Sequence, residues 1–141
     1  MGNRAVISFD ENDNAIGVYL HWNGGPESVL AFLDAAKELG IRGGEDRPYF
    51  FARFCQIIGN FFGGTTSVGI GPVKSLDTDN GNNGWYIIDN KLDIVKRLNT
   101  DGTVKAVADL KAGATSHGGL EYYEGVKDEV LKANSAIFKK G

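Results

Sequence analysis

Hydrophobic residues recur at two different periods along this chain. Residues 4–9 and 15–22 are short, apolar and rich in β-branched side chains, and a polar run, Asp10-Glu11-Asn12-Asp13-Asn14, separates them. This pattern predicts two strands joined as an antiparallel hairpin. From Pro26 the period changes. Val29, Phe32, Leu33 and Ala36 recur at helical spacing, and Gly40 supplies a stop. Pro26 sits in the first turn, where its missing N–H costs nothing, and Glu27 suits the positive end of the helix dipole.

A second helix is predicted from Pro48 to Phe62, with Gly63 as its stop. Phe50, Phe51, Phe54, Ile57, Ile58, Phe61 and Phe62 make it apolar almost all round, as in a helix buried on most sides. Its polar residues Arg53, Gln56 and Asn60 share one face with Tyr49. Residues 65–70, 85–88, 92–98 and 103–108 read as strands. Residues 73–83 form a long polar loop, and Asn99-Thr100-Asp101-Gly102 a hairpin turn. Residues 112–119 read as a small-residue hinge. Residues 120–139 form a final helix with Leu120, Tyr123, Val126, Val130 and Ala133 on its apolar side. The order ββααββββα predicts an α+β fold: an antiparallel sheet, two central helices and a C-terminal helix, in one domain spanning residues 1–141.

Composition narrows the function. A length of 141 residues suits a single core, and the net charge of −3 argues against non-specific binding to duplex nucleic acid. A small anionic ligand in a local pocket remains open. One cysteine, Cys55, cannot form an intrachain disulfide. There is no signal-peptide pattern and no apolar run of membrane-spanning length, so the expectation is a soluble cytoplasmic protein without membrane contact. The Met-Gly start is no myristoylation site, because Val6 stands where Ser or Thr belongs. The 20 glycines include the pairs 24–25, 43–44, 63–64 and 118–119, which suit turns and helix ends.

Signatures of catalysis are mostly missing. Gly69-Ile70-Gly71 lacks the third glycine of a dinucleotide fingerprint, since Lys74 occupies its place. Walker A and Gly-x-Ser-x-Gly motifs are absent. His21, His117 and Cys55 are too few for structural zinc. The segment 77–84 resembles a calcium loop in composition only, with Ile88 where the bidentate glutamate belongs. His21 has the chemistry of a general base but no sequence motif supplying a nucleophile or carboxylate beside it, which favours a structural role. No catalytic residue, metal or cofactor is expected.

Recognition chemistry is better represented. Trp22-Asn23-Gly24-Gly25 joins a strand to a helix. Indole and imidazole could stack on a base, the amide could bond its edge, and the glycines admit a close backbone. An ordinary strand–turn–helix link with Trp22 in the core explains the same residues. Pro26 and Glu27 weaken the phosphate part of the ligand reading. The stripe Tyr49, Arg53, Gln56, Asn60 carries one charge and no Lys or Glu, which suits a phosphate or a subunit contact as well as a solvated face. Arg97 and Tyr122 are further ligand candidates, as a cation and a stacking face.

Four blocks of sequence then carry a resemblance: residues 3–7 (Asn-Arg-Ala-Val-Ile), 17–25 (Gly-Val-Tyr-Leu-His-Trp-Asn-Gly-Gly), 52–64 around Arg53, and 79–88 through Trp85. Together they resemble the first-described family of anti-Thoeris phage proteins, over roughly residues 3–90. The resemblance implies a sponge that sequesters cyclic ADP-ribose isomers made by a host defence enzyme, without cleaving them. It also implies a homo-oligomer, dimer or hexamer, and in some members a separate site for cyclic oligonucleotides. Gly25 and Arg53 are carried over as anion contacts. The expected ligand set is thus Trp22, Asn23, Gly24, Gly25, Arg53, Gln56, Asn83, Trp85, Arg97 and Tyr122. The alternative is a phage inhibitor that binds a host defence protein directly.

Overall fold

The computed structural model describes residues 2–41, 46–63, 67–116 and 119–136. Its order is β1 (Ala5–Ser8), β2 (Ile16–Leu20), α1 (Pro26–Leu39), α2 (Arg47–Phe62), β3 (Val68–Pro72), β4 (Trp85–Ile88), β5 (Ile94–Leu98), β6 (Val104–Lys105), α3 (Val107–Ala114) and α4 (Gly119–Asn134). The strands form one sheet in the order β3-β2-β1-β4-β5-β6. Every neighbouring pair is antiparallel except β1 with β4, which run parallel at the centre. The fold is α+β, as the hydrophobic pattern predicted.

The two faces of the sheet have different covers. Ala5, Ile7, Val18, Leu20, Tyr86 and Ile88 join the core with α1 and α2. α4 lies across both of those helices, and α3 fills the space between α1 and β5. On the opposite face, Val6 and Ser8 are also fully buried. The loop after β3 contributes to their cover. A side chain at Gly17 would meet Val73 and Leu76 at 3.3 and 3.1 Å, so this glycine lets the loop lie flat on β2.

Helix α1 ends as predicted, with Gly40 in the left-handed region (φ 68°) and its N–H bonded to Ala36 and Lys37 carbonyls. The C-terminal third departs from expectation. Only Val104–Lys105 is strand, and Val107–Ala114 is a helix where a strand end and a hinge were predicted. Leu110 and Ala114, one turn apart, are buried, and that burial outweighs the glycine between them. In α4, Val126 and Val130 are buried, but Leu120 and Ala133 are exposed. Asn134 is buried in place of Ala133. Its amide donates to the Ile57 and Val130 carbonyls at 3.2 and 2.8 Å and accepts from Asn60 at 2.8 Å. These bonds satisfy a buried polar group and fasten α4 to α2. The segment 64–66, part of one predicted strand and of the second glycine-rich block, lies outside the described residues, as do His117 and residues 137–141. No helix among the described residues is long and apolar enough to cross a membrane.

Candidate ligand-binding site

The central parallel pairing brings three distant segments to one end of the sheet. Asn3 and Arg4 lead into β1, His21–Gly25 leave β2, and Asn83-Gly84 lead into β4. Backbone bonds lace them: Asn3 N–H to His21 O at 2.9 Å, Gly24 N–H to Asn3 O at 2.8 Å, and Asn83 N–H to Arg4 O at 3.0 Å. The Asn83 amide adds bonds to Asn3 Oδ1 at 2.6 Å and Arg4 O at 3.2 Å. Gly24 must be glycine here, because a Cβ would sit 2.6 Å from Asn3 O. The N-terminus of α1 opens at this lacing. Gly25 is its N-cap and offers no side chain, and Pro26 follows, so Glu27 and Ser28 have first-turn N–H groups without a side-chain cap.

Tyr86 carries the site from α1 to β5. It is fully buried, and its hydroxyl donates to Gly24 O at 2.9 Å. Its register partner across the ladder is Arg97, whose guanidinium carbon lies 5.4 Å from the Tyr86 ring centre. Burial pushes the Tyr86 phenol well above its usual range. The charge of Arg97 and its hydrogen bond to the phenol oppose this, and the charge of Glu27 adds to it. Arg97 itself is only 9% exposed, and among the described residues its Nε has no hydrogen-bond partner. Among the described residues no carboxylate lies within ion-pairing distance of it. A buried cation without a counter-charge is costly, and folded proteins pair such groups or give them an anion.

A β-bulge aims Arg97 inward. Ile88 faces Ile94, yet Ile87 faces Lys96, so Val95 is an extra residue on β5. Simple alternation from the buried Ile94 would place Lys96 inside and Arg97 outside. The extra residue reverses the phase, and one cation moves from solvent into the core face.

The expected residues divide into three groups. Asn23, Gly24, Gly25, Asn83 and Arg97 come together around Tyr86 and the start of α1. Asn23 holds a left-handed conformation (φ 59°) and donates from its amide to Ser28 Oγ at 3.1 Å and Tyr122 Oη at 3.3 Å. Tyr122, half-exposed, thus borders the same region from α4, beside a shallow cleft of about 410 Å³ with Phe61 and Val126. Trp22 follows at the end of β2, 47% exposed and edge-on to His21 at 5.2 Å, so it is not a core residue. Trp85 lies on the other face of the sheet, where its indole donates to Ser8 Oγ at 2.7 Å. Arg53 and Gln56 sit on the outer side of α2, Arg53 exposed, and no contact ties them to the Arg97 group. The structural role of His21 has a partner: the Tyr19 hydroxyl lies 3.1 Å from its Nδ1. Among the described residues no group of three or more potential metal ligands is assembled.

Tyr86 and Asn3 were not expected in the site. Asn3 lies in the first block of the resemblance without a role of its own, and Tyr86 reads as an ordinary strand residue. A buried, hydrogen-bonded anchor opposite an arginine becomes visible only once the β4–β5 register is known. Comparison of the chain with protein-family models, with curated proteins and with solved structures finds no match.

Proposed function

We propose that the protein is a non-enzymatic binder that sequesters a cyclic ADP-ribose-type signal in the host cytoplasm and so blunts an antiviral defence. One observation carries the binder reading: the buried guanidinium of Arg97, without a carboxylate partner among the described residues, near the uncapped N-terminus of α1. Both features favour a multiply charged, oxygen-rich anion such as a diphosphate. Tyr122 and Asn23 offer a stacking face and an amide at the border of the same region, which suits a nucleobase. The sequence resemblance to anti-Thoeris sponges supplies the ligand class, the counter-defence role and a homo-oligomeric state. Cyclic oligonucleotides are the second ligand class, with Arg53 and Gln56 as the separate contacts it would use.

The test is depletion. The protein is mixed with a panel of ADP-ribose isomers and cyclic oligonucleotides, filtered, then heated, and both fractions are read by chromatography. The expected result is loss of one ligand from the filtrate and its return intact on heating. A hydrolysed product, or no depletion by any ligand, overturns the proposal. Retention of a host protein in place of a nucleotide would move the function to direct inhibition.

A further inference from the structure

A polar cavity, apart from the Arg97 group, lies where α1, the turn before β5, α3 and α4 meet. Its volume is about 310 Å³. The floor is apolar: Leu30, Leu92 and Ile94 are all buried. Leu92 reaches it from a left-handed backbone (φ 62°), an unusual conformation for a non-glycine residue. The rim alternates in charge. Lys37 lies 2.7 Å from Asp93 Oδ1 and 3.6 Å from Asp34, and Tyr123 donates its hydroxyl to Asp34.

The rim has unused capacity of both signs. Asp93 spends Oδ1 on Lys37, and among the described residues its Oδ2 accepts no hydrogen bond. Lys111, on the α3 side, faces Asp93 closely enough for its charge to act on that carboxylate, yet makes no direct ion pair among the described residues. Two carboxylates and two ammonium groups leave the rim neutral, so a ligand with net charge would unbalance it. A ligand carrying one charge of each sign would not, and an apolar tail would cover the floor.

We propose that this cavity binds a free α-amino acid with an apolar side chain. The ligand ammonium pairs with Asp93 Oδ2, its carboxylate pairs with Lys111, and its side chain rests on Leu30, Leu92 and Ile94. The cavity is at the small end of ligand pockets, roughly 300–1,000 Å³, which favours a single residue over a peptide.

Thermal-shift and calorimetric titration of the full chain with free leucine, methionine and phenylalanine tests this. The expected result is a rise in melting temperature with at least one of them. Leucinamide and N-acetylleucine, each missing one charge, should give no rise. Lys111→Met, on an exposed residue, should weaken binding about tenfold or more, as should Asp93→Asn, while Arg97→Met leaves it unchanged. Three outcomes overturn the proposal: no response to any amino acid at millimolar concentration, an equal response to the amide and the N-acetyl form, or a response lost in Arg97→Met and kept in Lys111→Met. Because the nucleotide test runs through Arg97 and this one through Lys111, either reading can fail alone.

Discussion

Replacing Arg97 with methionine should strengthen the empty protein and weaken the ligand complex. Methionine keeps the length and the apolar stem but removes the charge. Exchanging buried charged groups for apolar ones of similar volume is often stabilising by about 1–4 kcal/mol. Here no attraction to a carboxylate is forfeited, since none among the described residues lies within pairing distance. What is lost is the contact with Tyr86, whose ring centre lies 5.4 Å away and whose phenol is within hydrogen-bonding reach of the guanidinium, worth about 0.5–2 kcal/mol for such a pair. The balance is a gain of about 1–2 kcal/mol for the unliganded chain, or a rise in melting temperature of roughly 2–8 °C. Ligand affinity moves the other way. Losing two charge-assisted hydrogen bonds to a diphosphate, at about 1.5–3 kcal/mol each, lowers affinity by about a hundredfold or more. Urea unfolding of both proteins measures the first effect, with the midpoint raised and the slope unchanged. Calorimetric titration measures the second. A variant that is less stable by more than about 1 kcal/mol, with affinity intact, would show Arg97 to be a structural residue and refute the reasoning.

Gly84→Ala should cost at least about 3 kcal/mol, because φ is +69° and the new Cβ would fall 2.1 Å from Leu98 O; chemical denaturation will show it, and a loss under about 1 kcal/mol would contradict the contact. Lys37 holds the Asp93 carboxyl below its usual range by hydrogen bond and charge, against a partial burial that raises it. The stability this contributes is present above the unfolded carboxylate range and is lost as pH falls through the lowered folded value, so Asp93→Asn should flatten the acid limb of a melting-temperature profile below about pH 4. Burial pushes the Cys55 thiol up to about 12. Native protein at pH 8 should therefore react with iodoacetamide far more slowly than denatured protein, and equal rates by mass spectrometry would place the thiol in solvent.

Local signals carried most of the fold. Pro26, the spacing Val29–Phe32–Leu33–Ala36 and Gly40 locate α1 to within a residue, because its caps and its apolar face agree. α3 was hidden because strand-like residues run into it from the hairpin and Gly113 interrupts it. Its helicity rests on burying Leu110 and Ala114 against the rest of the molecule. The parallel seam was also illegible, since Val6 and Trp85 are register partners from opposite halves of the chain. The site follows the same rule. Asn23, Gly24 and Gly25 stand out as a turn before a helix, and Arg97 as a lone arginine among lysines. The inward aim of Arg97 depends on the bulge at Val95, and Tyr86 becomes its partner only through that register.

The parallel seam between β1 and β4 also governs how the site comes into being during folding. Its walls are residues near positions 3, 24, 83 and 97, so no short contiguous fragment holds more than half of it. Such contacts close large loops before they return any stabilisation, which slows folding and leaves no stable part-site on the way. A ligand held there should raise the free energy of complete unfolding and leave local fraying of the β3 edge unchanged. In hydrogen exchange, ligand protection would then appear across the whole seam, including amides of Val6 and Ile87 that never meet the ligand.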